Sequence, residues 1–222
     1  MSFLNQLKTQ AHALRSQQNA AQMSAEARVA QTEAACQTVA AYLADLAQQL
    51  NVITPPAAAF TLDGKTPWPA MKMADFRCDV RQKRLHPMGA VGGMDVTDYI
   101  GMGWRVLPQD GPPVKAAVSV NFPPELERVE ARLALGHLKH DRREQRHPDT
   151  NKLLSIRFEY TTELLGSVRI TPDHEQSRFA FRISNATGFE VHTTELAAAD
   201  ITPAVLDELA RLLVAQPSRF LR

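Results

Sequence analysis

The sequence predicts an α+β fold, in which a long, coiled-coil-like N-terminal helix precedes an antiparallel sheet of about six to eight strands with two packed helices. Three observations lead to this prediction. The first fifty residues contain neither Pro nor Gly and are rich in Ala, Gln and Leu. Beyond them, short runs of alternating apolar and polar residues are separated by turn-forming clusters, which is typical of antiparallel strands. Two further segments, beginning at Pro123 and Pro203, have helical spacing.

The N-terminal helix carries an apolar stripe that we call the helix seam. Its residues recur in steps of three and four, as the a/d positions of a heptad pattern do: Val29, Thr32, Cys36, Val39, Leu43, Leu46 and Leu50. A run with the same spacing in a shifted register precedes it at Leu4, Leu7, Ala11 and Leu14. An unbroken rod would reach roughly 75 Å, so we expect the seam to join chains into a homo-oligomer. The alternative is that the helix packs on its own domain.

Pro55 and Pro56 end the N-terminal helix. They divide the chain into a helical oligomerisation segment, residues 1–53, and an α+β domain, residues 54–222. In the domain, the pair Asp63-Gly64 predicts a turn.

The strand predictions rest on period-two alternation and on turn residues between the runs. The strand at 71–83 slips register near Ala74 and has one charged face, whereas Cys78 and Val80 mark its inward side. The last four strands are expected to form an antiparallel meander, because their connections are short. The other strands are predicted at residues 58–62, 96–107, 114–122, 153–162, 167–171, 178–184 and 188–194.

Two helices are predicted to pack on the sheet. The first begins at Pro123 and runs to about Gln145, and its buried stripe consists of Leu126, Val129, Leu133 and Leu138. The second is capped by Thr202 before Pro203. Its buried face consists of Leu206, Leu209, Leu212 and Leu213.

Composition narrows the possible functions. The net charge of +1 gives no general argument for nucleic-acid binding. No apolar run is long enough for a signal peptide or a membrane span, so we expect a cytoplasmic protein. The two cysteines, Cys36 and Cys78, are expected to be free core thiols.

A locally basic segment predicts an anion-binding surface. Residues 139–157 contain six basic and three acidic residues, and arginine suits oxyanions because its planar guanidinium donates two parallel hydrogen bonds. The predicted binding residues are His140, Arg142, Arg143, Arg146, His147 and Lys152, with Arg77 and Arg81 from a strand face. Ion pairs on a solvated surface are the alternative. We therefore expect a non-enzymatic binding or adaptor protein for an anionic ligand, either a nucleic acid or nucleotide, or for an acidic protein partner.

A metal-assisted hydrolase or nuclease is the alternative function. On the predicted helix, His137 lies four residues before Asp141, and His140 would complete a set of three metal ligands. No other catalytic motif is present: there is no Gly-x-Ser-x-Gly elbow, and neither Cys has a neighbouring His in sequence. The Gly-rich run at residues 89–94 lacks the Walker spacing. No cofactor is therefore expected.

Five segments resemble those of a family of uncharacterised bacterial proteins with the same order of helix and domain. They are MSFLNQLKTQAHAL, DGKTPWPAMKMADFR, VSVNFPPELERVEARL, RHPDTNKL and IRFEY. The resemblance spans nearly the whole chain. It implies that the helix and the domain belong together, and it implies no activity, substrate, cofactor or catalytic residue.

Overall fold

The computed structural model describes residues 3–85 and 93–221, with side chains from residue 25 onward. The fold is α+β, as predicted, with three α-helices and eight strands in the described residues. None of these helices is long and apolar enough to cross a membrane. In chain order the elements are α1 (Phe3–Ile53), β1 (Met71–Leu85), β2 (Met94–Pro108), β3 (Lys115–Val120), α2 (Pro123–Leu135), β4 (His140–Arg146), β5 (Leu153–Thr161), β6 (Leu164–Asp173), β7 (Arg178–Ser184), β8 (Val191–Ala197) and α3 (Pro203–Leu213).

The strands form two antiparallel sheets where the sequence predicted one. A five-stranded sheet has the order β1-β2-β6-β7-β8, and a three-stranded sheet has the order β3-β5-β4. The predicted meander holds for β6, β7 and β8, whereas β5 leaves it to pair with β3 and β4. Alternation shows that a segment is a strand with one buried face, but it does not show which strand is its neighbour.

Helix α1 packs on one face of the five-stranded sheet, which we call the inner face. Six of the seven seam residues are buried within the chain, and Leu46 is partly buried against the same core. The thiol of Cys78 on β1 lies 3.2 Å from the carbonyl oxygen of Leu43. The helix seam therefore packs on the chain's own domain, which was the alternative to oligomerisation. The sheet covers the residues that were predicted to join chains. Self-association stays a prediction. The side chains of the earlier run, Leu4 to Leu14, are not among those that the structure describes.

A β-bulge in β1 sits where the sequence predicted a register slip. The pairing with β2 shifts between Ala74 and Arg77, and Asp75 has a positive φ of 56°. Asn51, near the end of α1, holds the bulge by donating to the carbonyl of Phe76 (2.9 Å) and accepting from its N–H (2.8 Å). The end of α1 and the bulge are thereby joined.

Two residues of β1 that were predicted to be buried are exposed. Cys78 and Val80 pair with the buried Met102 and Ile100 and so share the inner face. However, β1 is an edge strand, and its inner side beyond Phe76 is exposed. The prediction that both cysteines are core thiols is therefore wrong for Cys78, although both thiols are free. The nearby Gly-rich run at residues 89–94 lies outside the described residues, except at its end.

Helix α2 ends at Leu135, ten residues before the predicted end. Gly136 is its C-cap residue. His137 has a φ of 51°, and a right-handed helix cannot continue through a residue with a positive φ. The charged run that follows forms strand β4, paired with β5. Strand β4 contains no apolar residue, so its sequence favours neither a helix nor a strand with a buried face. Its pairing with β5 therefore determines that it is a strand.

An aromatic cluster joins the two sheets. Trp68 stacks on Tyr160 of β5 with ring centroids 5.7 Å apart, and Phe189 meets both Trp68 (5.4 Å) and Phe60 (5.2 Å) edge-on. Phe60 lies in the segment predicted as a strand at residues 58–62. That segment forms only an isolated bridge, between Thr61 and Pro67, and its Phe60 and Leu62 side chains are buried in the shared core.

Helix α3 matches its prediction. The hydroxyl of Thr202 accepts from the N–H of Val205 at 3.4 Å, and all four predicted leucines are buried. Tyr42 of α1 donates to Asp207 of α3 at 2.7 Å. Helices α1 and α3 are therefore in contact.

The turn predicted at Asp63 is organised by its carboxylate. One oxygen accepts from the backbone N–H groups of Lys65 (2.8 Å) and Thr66 (2.7 Å), and the other accepts from the hydroxyl of Thr66 (2.8 Å). Partial burial raises the pKa of Asp63, but hydrogen bonds from Thr66 and Lys65 outweigh it and hold this pKa at about 2, below the ordinary 3.8.

Asp63 should therefore contribute stability that depends on pH. Its pKa is lower in the folded chain, so the contribution, about 2 kcal/mol, is present above pH 4 and is lost as pH falls towards 2. We expect Asp63→Asn to lower the free energy of unfolding at pH 7. The difference in this free energy between the variant and wild type should shrink as pH falls from 4 to 2. Urea titrations at several pH values measure this, with Asp110→Asn at an exposed turn as the control. A difference that does not change with pH would contradict the assignment.

Candidate functional site

The predicted basic surface on β4 is exposed, but its arginines already have acidic partners. Arg142 lies 3.6 Å from Glu130 of α2 and 3.4 Å from Glu144. Arg146 meets the same Glu144 at 2.7 Å, and the hydrogen bond from Arg146 lowers the pKa of Glu144. These cations form a surface network of ion pairs, which was the alternative interpretation of the sequence.

The other predicted residues of this surface do not converge either. Arg143 lies 3.7 Å from Glu159, and His147 lies 4.0 Å from Asp149. The imidazole of His140 contacts a backbone carbonyl and the ring of Phe158. Lys152 is exposed. Because successive residues of a strand point to opposite faces, the basic side chains of β4 are divided between its two sides.

The three residues predicted to bind a metal are separated by the same geometry. His140 and Asp141 are consecutive in β4 and point to opposite faces. His137 lies outside the strand, in the turn after α2. The pairing expected from helical spacing does not exist, so the structure does not assemble this set.

A cavity of about 740 Å³ lies where α2 ends beside the five-stranded sheet. The largest group of residues that line this cavity lies on the face of the five-stranded sheet opposite α1, which we call the outer face. Strand register places four of its residues in one row across β1, β2, β6 and β7: Arg77, Gly103, Ser167 and Ser184. We call this space the sheet cavity. It brings one predicted anion-binding residue, Arg77, into a concave site, whereas Arg81 pairs in register with Tyr99 and does not line it.

The cationic lining of the sheet cavity comes from Arg77 and Arg182. Within the described ranges neither guanidinium has a carboxylate partner. Arg105 also lines the cavity, but Asp75 (3.0 Å) and Glu163 (2.6 Å) already neutralise it. The cavity therefore holds two arginines that are available to an anion.

Two more cavity residues carry buried polar atoms without a hydrogen-bond partner among the described atoms. These are the side-chain oxygen of Asn185 and the indole N–H of Trp104, although the Trp104 ring stacks on Phe76 at the inner face and not on the outer face with Arg77. The amide nitrogen of Asn185 is satisfied, since it donates to the carbonyls of Leu135 (3.1 Å) and Leu165 (2.8 Å). An unpaired buried polar atom costs free energy, so the orphaned oxygen of Asn185 beside the cavity favours a ligand or water that donates to it.

Sequence reasoning missed Arg182, Trp104 and Asn185. Trp104 lies on β2, whereas Arg182 lies on β7 and Asn185 directly follows β7, so only the sheet register brings them together. One signal was available: Gly101 and Gly103 occupy alternate positions of an apolar strand, a pattern that indicates close approach of another group.

A second polar cluster is buried between α1 and the sheet, where sequence reasoning placed no site. His174, in the turn after β6, meets Glu33 of α1 at 2.7 Å. Thr97 of β2 donates its N–H (2.9 Å) and its hydroxyl (3.1 Å) to the two carboxylate oxygens of Glu33. Cys36 lies in the same group. We call these four residues the helix cluster.

The thiol of Cys36 is not poised as a nucleophile. Burial raises its pKa to about 12, and the charge of Glu33 acts in the same direction. Nucleophilic cysteines react as thiolates and have lowered pKa values. The proximity of Cys36 to His174 therefore does not make a cysteine protease-like pair.

No protein-family model matches the chain, and no curated protein or solved structure matches it either.

Packing at the sheet cavity can be tested with two glycines. Gly166 lies directly opposite Trp104, and a Cβ at this position would overlap the indole ring, whereas a Cβ at Gly103 would meet its nearest atom at 3.8 Å. We expect Gly166→Ala to lower the free energy of unfolding by roughly 1–3 kcal/mol and to shift the tryptophan fluorescence. Gly103→Ala is the matched control, and it should change the free energy of unfolding and the fluorescence only slightly. Equal stability of the two variants would contradict this packing.

Proposed function

We propose that this chain is a non-enzymatic binding protein whose ligand is a small phosphate-bearing molecule of nucleotide size, held in the sheet cavity. The observation that carries the proposal is that Arg77 and Arg182, neither with a carboxylate partner among the described residues, line one concave site. The cavity volume of about 740 Å³ lies in the ordinary range for small-molecule sites.

The donors around the sheet cavity fit an oxyanion. A guanidinium donates two parallel hydrogen bonds to a phosphate, and the hydroxyls of Ser167 and Ser184 add neutral donors in the same row. Arg77 and Arg182 are three strands apart and offset by two residues along the strands, so their backbones are separated by about 16 Å at roughly 4.8 Å per strand and 3.4 Å per residue. This separation suits a ligand with an anionic group at one end and further acceptors along its length, such as a mononucleotide.

The surroundings of the cavity support binding over hydrolysis. Its described carboxylate, Asp75, is engaged by Arg105 at 3.0 Å, and His137, which also lines the cavity, has no carboxylate among the described residues to orient it as a general base. The hydrolase alternative rested on His137, His140 and Asp141, which lie apart. The two free thiols favour a reducing compartment, and we place the protein in the cytoplasm.

The proposal predicts that two arginines carry the affinity. Calorimetric titration with pyrophosphate and with adenosine monophosphate should show saturable binding at low salt. Arg77→Gln combined with Arg182→Gln should weaken it by at least roughly 100-fold, since each charged hydrogen bond contributes about 1.5–3 kcal/mol.

The matched control is Arg142→Gln combined with Arg146→Gln, which removes the same charge from β4. We expect this variant to bind both probes within about twofold of wild type, because these arginines are already held by Glu144 and Glu130. If only the β4 variant lost binding, the anion site would lie on β4 and not in the sheet cavity. Absence of binding by the wild-type chain would overturn the proposal.

A further inference from the structure

We propose that the helix cluster is a metal site, in which Glu33, Cys36 and His174 bind one divalent transition-metal ion, with Zn²⁺ as the best match. The site is separate from the sheet cavity, because it lies between α1 and the sheet rather than on the outer face.

The first argument is spacing. Glu33 and Cys36 are three residues apart on α1, so they project from the same side of the helix. His174 supplies a third ligand 141 positions away from Glu33 along the chain. Two ligands on one helix with a remote third ligand from another element is the usual plan of a protein zinc site.

The second argument is distance. One donor atom from each residue, the carboxylate oxygen, the sulfur and an imidazole nitrogen, lies within 4.8 Å of the other two. In a tetrahedral zinc site, bond lengths of about 2.0–2.3 Å place ligand atoms roughly 3.3–3.8 Å apart. The ion would separate His174 from Glu33, now 2.7 Å apart, and draw the thiol closer. Shifts of about 1 Å suffice.

The third argument is donor chemistry and burial. A set of one sulfur, one imidazole nitrogen and one carboxylate oxygen favours Zn²⁺ over Mg²⁺ or Ca²⁺, which prefer oxygen ligands. Cys36 is 2 % exposed and His174 is 4 % exposed. The side chain of Glu33 is 25 % exposed, so the carboxylate can be reached from solvent, and water would supply the fourth ligand. A bound dication also supplies the charge that stabilises a buried thiolate.

The fourth argument is support from a neighbouring residue. Thr97 donates to both carboxylate oxygens of Glu33 and so fixes the orientation of that carboxylate. Metal-binding carboxylates in proteins are commonly held by such hydrogen bonds, whose loss typically weakens affinity by about 10–100-fold. Thr97 is therefore a positioning residue of the site.

Metal binding here would fasten three elements together. The ligands and their support come from α1, β2 and the turn between β6 and β7. An ion that binds the folded chain and not the unfolded chain stabilises the fold. The stability of this protein should therefore depend on the metal.

The test uses the full chain without a histidine tag, stripped with a chelator and titrated with Zn²⁺ and with Co²⁺. We expect one ion per chain, a rise in melting temperature with Zn²⁺, and a thiolate-to-cobalt charge-transfer band with Co²⁺. Cys36→Ser should lose the band and weaken Zn²⁺ binding by at least about 100-fold. Thr97→Val should keep the band while weakening binding by about 10–100-fold.

Cys78→Ser is the matched control, because Cys78 is the other free thiol and is exposed. This variant should bind both ions as wild type does. Equal Zn²⁺ binding by wild type and Cys36→Ser would overturn the proposal. A wild-type Co²⁺ spectrum without a thiolate band would overturn it without any variant. Such a result would leave the cluster as a hydrogen-bonded group only.

Discussion

The packing of α1 on one face of the five-stranded sheet is the contact on which the rest of this structure depends. An antiparallel sheet must bury one apolar face and can leave the other in water. Here the helix seam, with the leucines of α3, covers the inner face and joins its core. The inner face is therefore covered except along β1 beyond Phe76, and both candidate sites lie on the outer face or where α1 meets strand ends.

Both candidate sites follow from that arrangement. The outer face is free to carry Arg77, Ser167 and Arg182, and the end of α2 turns the open sheet into a cavity. On the other side, Glu33 of α1 is carried against Thr97 and the turn that holds His174. Neither site could form from the sheet alone, because each needs a helix positioned by the shared core.

Features that depend on neighbouring residues could be predicted from the sequence. The cap at Thr202, the leucine face of α3, strand β7 and the slip near Ala74 all depend on spacing and residue type within a few positions. Features that depend on distant partners could not. The heptad spacing identified a buried face correctly but not what buries it, and the charged run of β4 contained no signal of its pairing. Glu33 and His174, 141 positions apart, meet only after the sheet has formed.

Native-state hydrogen exchange on the full-length chain, measured at two protein concentrations, tests the packing of α1 most directly. If the seam is buried against its own sheet, amides from Val29 to Leu50 will exchange through the same global unfolding as those of β2 and β6, and protection will not depend on concentration. Fast exchange in this stretch while the sheet stays protected would contradict the account. So would protection that rises with concentration, because the seam would then face another chain.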